Sequence, residues 1–163
     1  MTRHHQRRVL VTGLEGSCGK VVAKIFASNL DIRGWKDWDG NMRLSDKKNL
    51  VSHMSLPTGN RFFFYIPKIK DWDIITISTR DYNCSLESKV NNIQHDKKLA
   101  EQENDEARHI LSEMIKFENV YTFSYESWFL LGDSYVSKFL NQFNIEYLNV
   151  IKSENVNKKY LKT

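Results

Sequence analysis

The chain has 163 residues, of which 40% are hydrophobic and 27% charged, and a formal net charge of +4. This composition excludes a fibrous or wholly disordered chain, and the length suits one α/β domain at residues 9–163 after a flexible basic arm at 1–8. No apolar run approaches the roughly 18 to 20 residues of a membrane span, and the net charge is modest, so we expect a cytoplasmic protein without a membrane or nucleic-acid partner. Cys18 and Cys84 form no CxxC pair, which argues against a disulfide framework and a zinc site.

The first predicted elements are a strand, a glycine-rich loop and a helix. Residues 8–12 (RVLVT) form a β-branched run, and the apolar residues of 21–30 recur at helical spacing. The loop GLEGSCGK lies between them, where backbone N–H groups at a helix start bind phosphate in α/β folds. Its glycines allow close approach of a ligand, its serine offers a hydroxyl and its lysine a cation. The candidate cofactor-binding residues of the loop are Gly13, Gly16, Ser17, Cys18, Gly19 and Lys20. The alternative is a plain tight turn.

The next segment is predicted to be an ordered insertion followed by two strands. Residues 31–60 are rich in turn formers and carry Trp35 and Trp38, whose rings offer stacking surfaces for an adenine. The continuous apolar runs at 61–66 (RFFFYI) and 73–79 (DIITIST) predict strands of a parallel sheet that is covered on both faces.

The second half alternates helices and strands. A charged stretch at 85–116 predicts one or two surface helices, 119–125 a strand, 127–143 a helix and 155–161 a last short helix. The predicted buried stripe of the charged stretch is Leu99, Ala107, Ile110, Leu111, Met114 and Ile115. Strands that alternate with helices predict a three-layer αβα fold with a mostly parallel central sheet.

The residue after Lys20 limits the chemistry of the loop. Nucleoside-triphosphate enzymes with such loops carry a Ser or Thr there to bind Mg²⁺, whereas this chain has Val21. The spacing also differs, because five residues instead of four separate Gly13 from Gly19. Either the phosphate donor needs no metal or the chain is not a phosphotransferase.

A second anion site is predicted where the strand at 73–79 ends. Arg80 follows the strand directly, and Ser88 comes eight residues later near the start of the next helix. A guanidinium and a hydroxyl in this arrangement suit phosphate. The alternative is that Arg80 pairs with an acidic neighbour such as Asp81.

Three segments together resemble the P-loop-like sulfotransferases. They are VTGLEGSCGKVVAKIF, TRDYNCSLES and VYTFSYESWFLLGDSYVSKFLNQFNI, in the order that the family has. The resemblance implies a P-loop NTPase-like sulfotransferase fold that binds 3′-phosphoadenosine-5′-phosphosulfate (PAPS), or its product PAP, without metal. It also implies that Ser17 contacts the 5′-phosphosulfate and that Arg80 and Ser88 grip the 3′-phosphate. The loop departs from the family pattern at Gly16, Gly19 and Lys20.

Two residues are candidates for catalysis. His53, in the turn-rich segment SHMSLPTG, is the candidate general base, because an acceptor pocket would be built there. Lys20 would meet charge on the oxygen that leaves sulfur. His95 and His109 lie in charged helical stretches and are weaker candidates for the base.

The resulting hypothesis is PAPS-dependent transfer of a sulfuryl group to a hydroxyl or amine of a small molecule or glycan. One alternative is a small nucleotide or nucleoside kinase, which the pair Gly19–Lys20 favours. Another is a non-catalytic nucleotide-binding or assembly protein of the same fold, because fold alone does not imply activity.

Overall fold

The computed structural model describes residues 7–30, 32, 36–37, 49–56, 70–93 and 95–152. Within these ranges the chain forms, in order, β1 (Arg8–Leu14), α1 (Gly19–Asn29), β2 (Lys36–Asp37), β3 (Leu50–Leu56), β4 (Ile74–Thr79), α2 (Tyr82–Asn92), α3 (Lys97–Met114), β5 (Val120–Ser124), α4 (Tyr125–Leu131) and α5 (Asp133–Asn141). None of these helices has both the length and the apolar character needed to cross a membrane. The predicted strand at 61–66, the predicted helix at 155–161 and the two tryptophans Trp35 and Trp38 lie outside the described residues.

The strands form one parallel sheet in the order β2-β3-β1-β4-β5. β1 lies at the centre, where Val11 pairs with His53 of β3 on one side and with Thr76 of β4 on the other. After β1, the chain continues to β2 and β3 on one side of β1 in the sheet. After β4, it continues to β5 on the other side. In open α/β sheets, ligands bind outside the carboxyl ends of the two strands at which the connections diverge. Here these are the ends of β1 and β4.

Helices cover the sheet on both faces, which confirms an α/β fold with helices on either side of a parallel sheet. On one face α1, α4 and α5 pack an aromatic-rich core that includes Phe26, Trp128 and Phe139. On the other face α3 contributes Ala107 and Met114, which lie against apolar residues of β1, β3 and β4. Full burial of one such large apolar side chain stabilises the fold by about 2 to 3 kcal/mol.

Side-chain caps define where several helices begin. Asp81 accepts a hydrogen bond from the backbone N–H of Cys84 at the start of α2, and Asp96 does the same for the N–H of Leu99 at the start of α3. Such a cap is worth about 1 kcal/mol. The helix predicted at 127–143 is in fact two helices, because Gly132 adopts a φ of 59° between α4 and α5 and interrupts the helical hydrogen bonds.

Two further predictions about the fold are wrong. The insertion at 31–60 contains β3, which the sequence pattern did not reveal because polar residues such as Ser52 alternate with apolar ones in a strand that is buried on both faces. On α3, Leu99 and Ile115 are 41% and 55% exposed instead of buried. The buried stripe of α3 is Ala100, Asn104, Ala107 and Met114. Because this stripe includes the polar residue Asn104, the pattern of apolar residues alone did not identify it.

Two residues of the predicted basic arm belong to the folded domain. Arg8 is the first residue of β1 and forms an ion pair of 3.3 Å with Asp73. Arg7 donates a hydrogen bond from its guanidinium to the carbonyl oxygen of Phe143. Residues 7 and 8 therefore belong to the folded domain, and residues 1–6 lie outside the described residues.

Candidate functional site

The glycine-rich loop joins β1 to α1 and follows a tightly constrained path. Gly16 has a φ of 81°, and a Cβ added there would stand 2.8 Å from the carbonyl oxygen of Ser85. Both observations explain a glycine at this position, since an L side chain would be strained and would also clash with α2. Cys18 takes the same left-handed conformation, with a φ of 67°, directly before α1. The loop thus turns sharply into α1 while its backbone lies against the start of α2.

The side chain of Ser17 is buried and contacts β4. It is 3% exposed, and its Oγ lies 2.8 Å from the Oγ of Ser78 in β4. Ser78 donates its own proton to the carbonyl oxygen of Thr12, so the proton between the two hydroxyls comes from Ser17. The predicted contact between Ser17 and the 5′-phosphosulfate stays a prediction, and its hydroxyl proton is engaged with Ser78 in this structure. Ser17 holds the loop on β4.

Arg80 and Ser88 both lie beside the loop. Nη1 of Arg80 donates a hydrogen bond of 2.9 Å to the carbonyl oxygen of Gly16, and the guanidinium carbon stands 5.6 Å from the ring centroid of Tyr125. The Oγ of Ser88 is 3.4 Å from the position that a Cβ of Gly16 would occupy. The structure thus brings the two predicted anion-binding groups to one loop residue. Asp81, the predicted alternative partner of Arg80, caps α2.

Lys20 and the start of α1 form the exposed side of the loop. Lys20 is exposed in the first turn of α1, and that turn contains no acidic residue. The N–H of Val21 donates to the carbonyl oxygen of Cys18, and the helix dipole places partial positive charge at this end of α1. Lys20 adds a positive charge to this end of α1. Gly13 and Gly19 flank the loop, at the end of β1 and the start of α1.

His53 does not lie in an exposed acceptor loop, so the prediction of its location is wrong. It is a residue of β3 and is only 4% exposed. Its Nε2 lies 3.2 Å from the Oγ of Ser55 and 2.7 Å from the position that a Cβ of Gly19 would occupy. His53 therefore packs under the start of α1 and supports the loop from inside. The two weaker candidates for the base, His95 and His109, are exposed on the surface.

A buried lysine that the sequence did not single out ties the loop to α2 and α3. Lys89 of α2 is fully buried, and its Nζ lies 3.2 Å from a carboxylate oxygen of Glu15 in the loop and 2.6 Å from one of Glu103 in α3. Burial raises the pKa of the Glu15 carboxyl, and this effect outweighs the attraction of Lys89, which lowers the pKa. Lys89 lies one helical turn after the buried residues Ser85 and Leu86 and therefore on the same face of α2. This spacing could have predicted that Lys89 is buried.

A cavity of about 210 Å³ opens at the carboxyl ends of β1 and β4. Its described lining includes Leu14, Ile77 and Leu111, which are apolar, and Arg80, Tyr82 and Arg108, which are polar or charged. The guanidinium carbon of Arg108 stands 5.3 Å from the centroid of the Tyr82 ring. Arg108 could not be singled out from the sequence, because it lies in a charged stretch of α3 that is typical of a solvated face.

The cavity and the loop adjoin, since Ser17 and Ser78 also line the cavity. Arg80 and Arg108 line this region, and Arg108 also lies 3.8 Å from a carboxylate oxygen of Asp105. Within the described ranges, no group of three or more His, Cys, Asp or Glu residues is arranged to hold a metal ion. No family model matches the chain, and no curated protein or solved structure matches it either.

Proposed function

We propose that the chain binds a 3′,5′-bisphosphorylated adenosine nucleotide and transfers a sulfuryl group from PAPS to a hydroxyl or amine of a small molecule. The observation that carries the proposal is the meeting of Arg80 and Ser88 at Gly16 of the loop. Two anion sites, one at the start of α1 and one at Arg80 and Ser88, then border one region at the divergence point of the sheet. A nucleotide with phosphates at two ends of its ribose matches such a pair.

The loop supplies what sulfuryl transfer requires. As the sulfur–oxygen bond to the 5′-phosphate breaks, negative charge grows on the bridging oxygen. The backbone N–H groups at the start of α1 and the ammonium group of Lys20 are suited to stabilise that charge. Loss of one such donor typically lowers a rate by about 10²- to 10³-fold. Ser17 and Arg80 contribute indirectly, because they fix the loop by hydrogen bonds to Ser78 and Gly16.

The second candidate is a small nucleotide or nucleoside kinase, favoured by the exposed Lys20 at the start of α1. Val21 opposes it. This residue occupies the position of the Mg²⁺-binding Ser or Thr, and its half-buried side chain packs against the aromatic-rich core. A hydrocarbon group in that position cannot bind the metal. A third candidate is a non-catalytic nucleotide-binding protein. It would bind a nucleotide as both enzymes would, but it would not convert it to product.

Thermal unfolding with added nucleotides separates these candidates. A ligand that binds only the folded state at 100 times its Kd stabilises it by about 2.7 kcal/mol, which raises the Tm of a domain of this size by roughly 5 to 10 °C. We expect this increase with PAP, and a much smaller one with adenosine 5′-monophosphate, which lacks the 3′-phosphate. A larger increase with ATP and Mg²⁺ would favour the kinase, and no increase with either would contradict nucleotide binding.

Two lysines of α1 provide a matched pair of variants. Lys20 and Lys24 are both exposed and lie one helical turn apart, but only Lys20 is in the first turn. A hydrogen bond to a charged group is worth about 1.5 to 3 kcal/mol, so Lys20→Ala should weaken PAP binding about 10-fold at the lower end of this range. Lys24→Ala should leave the Kd for PAP, measured by isothermal titration calorimetry, unchanged. An equal increase in the Kd for PAP in both variants would indicate that the overall positive charge of α1 attracts PAP, and it would contradict a specific site at the loop.

A further inference from the structure

One face of α2 contacts two successive residues of the glycine-rich loop. Ser85, Ser88 and Lys89 are spaced so that they share this face. A Cβ added to Gly16 would stand 2.8 Å from the carbonyl oxygen of Ser85 and 3.1 Å from the Cβ of Ser88. The preceding residue, Glu15, has a carboxylate oxygen 3.2 Å from Nζ of Lys89. The backbone of the loop therefore approaches α2 most closely at the residue next to this ion pair.

Lys89 is also anchored by α3. Its Nζ lies 2.6 Å from a carboxylate oxygen of Glu103, which is shorter than its distance to Glu15. The side chain of Lys89 is fully buried, whereas those of Glu15 and Glu103 are 20% and 32% exposed. The ammonium group of Lys89 thus has a fixed position between two helices, and Glu15 is the partner that the loop brings to it.

Stability alone does not account for a lysine at this position. Desolvation of a buried ion pair largely offsets its Coulomb attraction, and apolar residues of similar volume often stabilise a fold as well or better. An ion pair does specify a position, because Glu15 can pair with Lys89 only while the loop lies against α2. Arg80 donates a hydrogen bond to the carbonyl oxygen of Gly16, the next residue of the loop. Displacement of Glu15 would therefore also disturb the meeting of Arg80 and Ser88 at Gly16.

We infer that Lys89 is a positioning residue for nucleotide binding, which holds Glu15 on α2 and thereby keeps Gly16 beside Arg80 and Ser88. The inference rests on the proposed function for the identity of the nucleotide. A loop residue that is released from its fixed backbone conformation must be ordered again when the ligand binds, which lowers the binding constant roughly 5- to 30-fold. Loss of the contact between Lys89 and Glu15 should therefore weaken the binding of PAP at least about 5-fold.

Glu15→Ala and Glu103→Ala form a matched pair of variants. Each removes one carboxylate from Lys89, and both change the net charge by the same amount. Only Glu15→Ala releases the loop, so its Kd for PAP should rise at least about 5-fold, whereas Glu103→Ala should leave the Kd unchanged. Charge alone predicts the opposite sign for Glu15→Ala, since removal of a negative charge from the loop would favour a phosphate.

A conservative variant separates positioning from a general loss of stability. Glu15→Gln retains an oxygen that accepts a hydrogen bond from Lys89, so it should bind PAP more tightly than Glu15→Ala. Isothermal titration calorimetry measures each Kd at a temperature at which circular dichroism shows every variant to be folded. An unchanged Kd in Glu15→Ala, equal increases in Glu15→Ala and Glu103→Ala, or no recovery of affinity in Glu15→Gln would overturn the inference.

Hydrogen exchange without nucleotide distinguishes failure of this inference from failure of the proposed function. The backbone N–H of Ser17 donates to the carbonyl oxygen of Leu14, so its exchange rate, measured by NMR, reports opening of the loop. This rate should rise at least about 5-fold in Glu15→Ala and stay unchanged in Glu103→Ala. If PAP does not bind to the parent protein while exchange differs in this way, sulfuryl transfer is overturned and Lys89 still positions the loop. If PAP binds and neither its Kd nor the exchange rate changes in Glu15→Ala, the positioning role alone is overturned.

Discussion

Replacement of Lys89 by Met tests whether the buried ion cluster holds the loop. Met has a similar length and preserves packing, but it removes the positive charge between Glu15 and Glu103. Removal of one partner from a buried ion pair costs about 3 to 5 kcal/mol, because the remaining charge stays buried. The side chains of Glu15 and Glu103 retain 20% and 32% exposure, so water can compensate in part. We therefore expect a decrease of about 3 kcal/mol in the free energy of unfolding at pH 8.

The effect should depend on pH in a defined direction. Burial raises the pKa of Glu15 in the folded state above its ordinary value, and Lys89 counteracts part of this increase. Between the ordinary and the raised pKa, the folded protein binds more protons than the unfolded chain, so stability falls as pH rises through this window. Without Lys89 the pKa of Glu15 rises further and the window extends to higher pH. The cost of Lys89→Met should thus be about 1 kcal/mol smaller at pH 5 than at pH 8.

Urea unfolding at both pH values measures these differences. Lys97→Met is the control, because Lys97 is 59% exposed and its ion pair with Glu87 is a surface pair, so its loss should cost less than about 0.5 kcal/mol. In the double variant Lys89→Met/Glu15→Gln, the dependence on pH should largely disappear. A Lys89→Met protein that is as stable as the parent at pH 8, or a cost that increases towards pH 5, would refute the reasoning.

Two more predictions concern the start of α1 and the thiols. Gly19→Ala should lower the free energy of unfolding by about 1 to 3 kcal/mol, because its Cβ would stand 2.7 Å from Nε2 of His53. The same substitution should lower it clearly less in a His53→Ala background. A coupling energy near zero in this double-mutant cycle, measured by urea unfolding, would contradict the packing of His53 against Gly19. Cys84 is 1% exposed and burial raises the pKa of its thiol, so it should react with iodoacetamide only when the protein unfolds. Cys18 is half-buried and should react in the folded protein. Bound PAP should protect Cys18 from this reaction. Mass spectrometry that finds equal labelling of both thiols would contradict this assignment.

The sequence predicted strands well where hydrophobicity is continuous. The predicted runs at 73–79 and 119–125 contain β4 and β5. β4 is buried over most of its length because helices cover the sheet on its two faces, whereas β5 lies at the end of the described strand order and only its Phe123 is buried. β3 was missed since Ser52 and His53 interrupt its apolar residues although both are buried. Nε2 of His53 lies 3.2 Å from the Oγ of Ser55 in the same strand, whereas the Oγ of Ser52 has no hydrogen-bond partner among the described residues. Burial of these residues depends on the strands and helices that cover β3, about which a local pattern contains no information.

The same limit applies to the site. The loop, Arg80 and Ser88 could be brought together from the sequence, because the carboxyl ends of neighbouring parallel strands lie at one edge of a sheet. The positions of Lys89 and Arg108 could not, since they depend on how α2 and α3 are rotated against each other and against the sheet. Both residues lie in charged stretches, where a buried cation and a solvated one have the same appearance in sequence.

Two of the predicted site residues also hold the loop in place. The proton of Ser17 is donated to Ser78, and one N–H of Arg80 donates to the carbonyl of Gly16. Both interactions fix the loop before any ligand arrives, and Glu15 is held in the same way by Lys89. A loop restrained at three of its residues loses little conformational entropy on binding. An anion at the start of α1 would then be bound chiefly by backbone N–H groups and Lys20, which accounts for a glycine-rich loop with few polar side chains directed outward.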